Sequence, residues 1–219
     1  IEVNIDKSSG VKQVEDINEL NSLDVIIFML PNGKIVSEVA QQLMDLNLKS
    51  IFIDMSSSDP RETQELGKKL KNTGVKFLDA PVSGGVARAK TGDLMIMAGG
   101  DEKLLEEVND LLSVMGKVQF AGPLGSGHAI KALNNYVSAA GLISSFEALA
   151  TARSFGIEPE NFLKIINGAT GKNNTTEVKL DKFVTVSYTH LRAHEDLMVK
   201  DVTIANSLIK GLSLSLIHI

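Results

Sequence analysis

Cysteine is absent from the 219 residues, so disulfides, thiolate catalysis and cysteine-based zinc sites are all excluded. The absence fits a reducing, cytoplasmic compartment. Basic residues do not cluster, and the net charge is −5; a phosphate-tracking surface for nucleic acid is not expected. No apolar run reaches the ~18 residues of a membrane span. The first residues, IEVNIDKSSG, are neither a signal peptide nor a Met start. What remains is 43% hydrophobic and 22% charged, an ordinary globular mixture.

Histidine is scarce as well. Of four, three (His190, His194 and His218) lie in VSYTHLRAHE at 186–195 and LSLIHI at 214–219. Both peptides can be encoded by one DNA string, read in two frames, that resembles a transposon-derived sequencing adapter. The spacing of His190 and His194 is therefore not read as a metal pair, and no metal site is expected. His128, standing alone, is read as structural.

Strands and helices alternate through the first half. Residues 24–30 (DVIIFML) and 50–55 (SIFIDM) are short continuous apolar runs, the signature of strands covered on both faces. Residues 75–78, 94–98 and 118–120 add further strands. Helical spacing covers 35–46, 61–71 and 102–115, and Ser56-Ser57, in a loop rich in N-cap residues, is a candidate cap for the helix after it. Such alternation implies a parallel sheet with helices on both faces. After Gly122 the pattern changes to one long helical run, 127–155, then a helix at 160–167. The expected class is α/β: a Rossmann-type parallel-sheet domain over 1–122, followed by an all-helical domain over 123–219 for substrate and dimerisation.

In a sheet of this kind ligands bind beyond the carboxyl ends of the strands. The stretch DAPVSGG, 79–85, ends a strand with a bare Ser-Gly-Gly. Glycine lets backbone N–H groups approach an anion without a Cβ in the way, and Ser83 adds a hydroxyl. The group suits a carboxylate.

These stretches, with MLP (29–31), DMSS (54–57), AKTGDLMIMAGG (89–100), GHAIKALNN (127–135) and LMVKD (197–201), together resemble the β-hydroxyacid dehydrogenases, 3-hydroxyisobutyrate dehydrogenase type. The resemblance implies an NAD- or NADP-dependent oxidoreductase that interconverts a small 3-hydroxy acid and its semialdehyde. It makes Lys131 the proton donor and acceptor, with Asn135 holding the substrate oxygen one helical turn away. It assigns Ser83, Gly84 and Gly85 to the substrate carboxylate, and Leu30, Pro31, Ser57 and Lys200 to the dinucleotide. Lys131 alone reads as a helix-surface lysine. In K-A-L-N-N after G-S-G-H, with DAPVSGG upstream, it reads as functional. Asparagine is a poor helix former, so the Asn134-Asn135 pair in an apolar helix also needs a reason.

The nearest rival in the class is tartronate semialdehyde reductase; an imine-reducing relative fits less well because Lys131 is present. A rival of another class is a non-catalytic dimerisation module of the same fold, against which Lys131, Asn135 and Ser83 speak. The long helix suits packing against a second copy, so a homo-oligomer is expected. The family's opening strand, G-x-G-x-x-G turn and helix have no counterpart here, nor has the residue that separates NAD from NADP. The chain as printed is thus expected to be inactive and poorly soluble, with the apolar faces of 25–30 and 51–53 partly uncovered.

Overall fold

The structure, a computed structural model, describes residues 14, 16–46, 48–180 and 195–211. Backbone contacts divide the chain into two compact units, Ile1–His128 and Ala129–Ile219.

In the first unit a short 3₁₀ turn, Ile17–Ser22, precedes strand β1 (Val25–Phe28). Helix α1 (Gly33–Met44), β2 (Ile51–Asp54), α2 (Pro60–Thr73) and β3 (Lys76–Asp79) follow. Side chains alternate across a strand, so β2 and β3 each supply both faces of the sheet. Phe52 and Phe77 enter one core with Val36, Leu43, Leu66 and Leu70 from α1 and α2. Ile53 and Leu78 enter another with Leu104, Leu105, Val108 and Leu112 of α4 (Glu102–Ser113). Phe28 and Phe52 meet edge to face, their centroids 5.3 Å apart.

Each crossover helix of this unit starts on a polar side chain that takes an otherwise unpaired N–H. Asn32 accepts from Ile35 at 3.0 Å, Asp59 from Arg61 at 2.9 Å, and Asp101 from Lys103 and Leu104 at 2.9 and 3.1 Å. The cap of α2 is therefore Asp59 rather than Ser56 or Ser57. Ser56 is committed to Asp54 and Leu30.

Strands β1, β2 and β3 are parallel, with Phe28, Asp54 and Asp79 in register at their carboxyl ends. Strand β5 (Leu94–Gly99) then runs antiparallel to β3, and β6 (Gly116–Gly122) is parallel to β5. The sheet is parallel-rich with one reversal, and the cause lies in β4 (Val82–Ser83), a strand the sequence pattern did not reveal. The pairs Asp79–Gly99, Val82–Ile96 and Ser83–Met95 share one unbroken register. β3 and β4 are thus a single extended segment interrupted at Pro81, which lacks an N–H but whose carbonyl accepts from Met97 at 3.0 Å. A short helix, α3 (Gly85–Lys90), turns the chain back as a hairpin, where a parallel neighbour would need a longer crossover. The tip, Ser83–Gly85, consequently extends past the level at which β1 and β2 end.

Ile27 on β1 and Met29 just after it are exposed at 38% and 61%, whereas Phe52 and Ile53 on β2 are fully buried and Ile51 half-buried. The expected uncovering holds for 25–30 at Ile27 and Met29 and fails at Phe52 and Ile53, where β1 and β3 flank β2 on either side.

The second unit is helical. Helix α5 (Ser126–Ser154) begins at the end of the first unit; α6 (Pro159–Asn167), a single π-helical turn (Thr175–Lys179) and α7 (Glu195–Gly211) follow. Leu149, Ala152, Phe162, Leu163 and Leu180 form its core. The histidines at 190, 194 and 218, and the adapter-like stretches except Glu195, lie outside the described residues. No helix among the described residues is long and apolar enough to cross a membrane.

Candidate active site

Two carboxylates close the parallel strands, and both are buried: Asp54 and Asp79 are 1% and 0% exposed. A carboxylate taken out of water needs donors. Asp54 has them in its own loop, accepting from the Ser56 N–H through Oδ1 and from the Ser58 hydroxyl through Oδ2, both at 2.9 Å. Asp79 accepts from the N–H groups of Gly125 at 2.7 Å and His128 at 2.8 Å. Burial pushes the Asp79 carboxyl above its usual range, opposed by the His128 ring and those two N–H donors.

The Asp54 loop reaches the β1 loop as well. Ser56 Oγ accepts from the Leu30 N–H at 2.9 Å, so the two loops assigned to the dinucleotide are joined by a hydrogen bond. Leu30 is half-buried, Pro31 exposed and Ser57 half-buried. These residues stand beyond the carboxyl ends of adjacent parallel strands, where α/β sheets take their ligands.

The Ser-Gly-Gly tip joins β4 directly to α3, and its backbone path depends on its glycines. Gly84 has φ 136° and Gly85 φ 65°, values that side chains disfavour. Gly84 and Gly85 are exposed and Ser83 half-buried. A third glycine is required for a different reason: a Cβ on Gly127 would collide with the Met97 carbonyl and come within 2.9 Å of Asp79 Oδ2. That close approach lets the start of α5 sit against the strand ends.

In the second unit Lys131 is half-buried. Burial lowers its pKa below the ordinary lysine value; Asp201 acts the other way, and Lys200 reinforces the shift. Asp201, 4% exposed on α7, also accepts from Asn135 Nδ2 at 2.5 Å, and Asn135 Oδ1 accepts from Asn134 at 3.1 Å. One buried carboxylate therefore orients the asparagine and holds charge on the lysine. An amide nitrogen bears two hydrogens, which leaves Asn135 a second donor for a ligand oxygen. Within the second unit Asp201 acts on both Lys131 and Asn135, and Lys200 acts on Lys131 by charge; within the first the structure joins the Leu30 and Ser56–Ser57 loops.

Asp201, Asp54 and Asp79 had no assigned role. Each was nonetheless signalled, as an acid closing or interrupting an apolar run (IFID, KFLD, LMVKD).

Comparison with known proteins agrees with this layout. Residues 4–125 match the family model for the NAD binding domain of 6-phosphogluconate dehydrogenase. Residues 125–219 match the model for the NAD-binding region of NADP-dependent 3-hydroxyisobutyrate dehydrogenase. A 2-(hydroxymethyl)glutarate dehydrogenase from Eubacterium barkeri is 35% identical over 166 residues, 74% of this chain and 55% of the relative. The mitochondrial 3-hydroxyisobutyrate dehydrogenase of Rattus norvegicus is 36% identical over 154 residues, 68% of this chain and 46% of the relative. Among solved structures, the Mycobacterium tuberculosis 3-hydroxyisobutyrate dehydrogenase with L-serine superposes with a TM-score of 0.81. It is 28% identical, and the match covers 93% of this chain and 73% of that one. The chain spans about half the length of the curated relatives it matches.

Proposed function

The chain belongs to the β-hydroxyacid dehydrogenase family, 3-hydroxyisobutyrate dehydrogenase type, and from that premise we propose that its protein interconverts a small 3-hydroxy acid and the corresponding semialdehyde. The cofactor is NAD or NADP. The observation that carries the reading is the half-buried Lys131 with its lowered pKa, on the same helix face as an asparagine bonded to Asp201.

The residues of the first unit fit the dinucleotide. Leu30, Pro31 and Ser57 stand on two loops fixed beyond the ends of β1 and β2, and the buried donors around them are already satisfied, so the loops have a set shape before any ligand arrives. Lys200, on α7, is the contact assigned from the second unit. The nicotinamide supplies the hydride when bound. Everything else falls to the chain.

Ser83, Gly84 and Gly85 bind the substrate carboxylate through backbone N–H groups and the Ser83 hydroxyl. Lys131 holds a proton at Nζ and delivers it to the carbonyl oxygen as negative charge develops there. In alcohol oxidation the neutral amine takes the hydroxyl proton back, and a pKa lowered by burial makes that form accessible nearer neutral pH. Asn135 donates to the same oxygen and Asp201 keeps its amide turned.

3-Hydroxyisobutyrate is the first substrate to try, and tartronate semialdehyde the second. We propose further that this protein acts as a homo-oligomer, its long helix α5 packing against a second copy, and that it works in the cytoplasm. The test is NADH and NADPH oxidation by the full-length protein against a panel of semialdehydes, with Lys131→Ala alongside. Turnover of a semialdehyde that the variant loses supports the reading. Dinucleotide and semialdehyde turnover that survives Lys131→Ala unchanged rejects the lysine, and no dinucleotide binding at all favours the non-catalytic dimerisation module.

A further inference from the structure

His128 is 1% exposed and its role was read from the sequence as no more than structural. Its surroundings are more specific than a core position requires. Nε2 lies 3.2 Å from the Ser56 carbonyl, a group that only accepts, so Nε2 carries a hydrogen. Nδ1 lies 2.8 Å from the Thr63 hydroxyl, which in the neutral ring donates to it. That hydroxyl has one alternative, the Asp59 carbonyl at 3.2 Å, and a single hydrogen to give. The backbone N–H of His128 donates to Asp79 at 2.8 Å. Asp54 Oδ2 stands 3.7 Å from Nε2 and Asp79 Oδ2 3.6 Å from Nδ1, both too far to bond to the ring.

The contacts form a line through four elements. Thr63 on α2 sets the ring, the ring holds the Ser56 carbonyl, and the Ser56 hydroxyl holds the Leu30 N–H. The line ends next to Ser57 and Pro31, the residues assigned above to the dinucleotide.

We infer that His128 is a positioning residue for the dinucleotide-binding loops, held by Thr63 in the tautomer that bonds the Ser56 carbonyl. The inference rests on the reading of those loops in the proposed function. It differs from a space-filling role, because it depends on which nitrogen bears the hydrogen and on one hydroxyl rather than on ring volume.

Glutamine can place an amide nitrogen near the Nε2 position, whereas asparagine is too short to reach it. Likewise Thr63→Ser keeps the hydroxyl and Thr63→Val removes it at nearly constant shape. The experiment is a fluorescence titration of the full-length protein with NADH and NADPH, together with steady-state kinetics. His128→Asn and Thr63→Val are expected to weaken dinucleotide binding about tenfold, the size of one buried hydrogen bond, with the loss in KM for dinucleotide rather than in kcat. His128→Gln and Thr63→Ser are expected to recover most of the affinity. If the wild-type protein binds dinucleotide and both weakening variants bind within about twofold of it, the inference is wrong and the functional reading stands. If the wild-type protein binds no dinucleotide, both fall. Should His128→Asn fail to fold, the Thr63 pair decides alone: equal binding by valine and serine overturns the proposal.

Discussion

The two units treat buried carboxylates in opposite ways. In the first, Asp54 and Asp79 face backbone N–H groups and a hydroxyl, and their effect is to fix loop shape. In the second, Asp201 faces a neutral amide and an ionisable amine, and its effect is to set where a proton resides. Under the proposed function, shape is asked of one region and proton chemistry of the other. The same residue type serves both because its partners differ: donors that never titrate make a carboxylate a strut, while a lysine makes it a tuning charge.

The contrast breaks first at Lys131. Lys131→Ala is expected to lower kcat by 10²–10⁴, the usual worth of a general acid, while leaving the thermal unfolding midpoint nearly unchanged, since a half-buried cation contributes little to stability. A collapse of the midpoint alongside the rate would show that the second unit, too, uses its charge for shape.

Asp54→Ala should behave the other way. It strands the Ser56 N–H and the Ser58 hydroxyl in a buried setting, and removing one partner of a buried hydrogen bond costs about 1–3 kcal/mol. Urea unfolding is expected to show that loss, with dinucleotide affinity falling as the 56–58 loop relaxes and substrate affinity less affected. Stability within about 0.5 kcal/mol of wild type would remove the strut argument.

Between the regions, legibility in the sequence differed for the same physical reason. The strands of the first unit announced themselves because burial on both faces demands continuous apolar runs, and the crossover helices because their caps and amphipathic spacing are local. Lys131 and Asn135 stood out only through the family resemblance of K-A-L-N-N behind G-S-G-H, since a lone lysine at helical spacing reads as a solvated one. The hairpin was not legible. β4 is two residues long, and its pairing with β5 depends on a partner a dozen positions away, which no periodicity records. Asp201 was signalled as an acid interrupting the apolar run of LMVKD, but its role was not: its hydrogen bond to Asn135 and its electrostatic effect on Lys131 cross between helices far apart in sequence. Ser56-Ser57 misled because cap-forming residues are interchangeable in composition, and only geometry shows that Asp59 caps α2 while Ser56 bonds to Asp54 and Leu30.

The smallest effect is the sharpest test of the second unit. Burial lowers the Lys131 pKa, Asp201 raises it and Lys200 lowers it. Carbonyl reduction needs the ammonium, so kcat for reduction falls as pH rises through the folded-state pKa, and that alkaline limb lies below the ordinary lysine value of 10.5. Asp201→Asn keeps an acceptor for Asn135 but removes the charge that retains the proton; the limb should move to lower pH. Lys200→Met removes a like charge, and the limb should move to higher pH. Alcohol oxidation needs the free amine, so its acid limb should move in the same sense for each variant. The linkage to folding has a fixed sign as well: with the folded pKa below the unfolded one, the unfolded chain binds more protons between them, and stability rises with pH across that window. Profiles of kcat at saturating dinucleotide separate these shifts from any change in binding caused by Lys200. If both substitutions moved the limb in one direction, the carboxylate and the second lysine would not be acting on Lys131 by charge, and the proton chemistry assigned to this unit would need another owner.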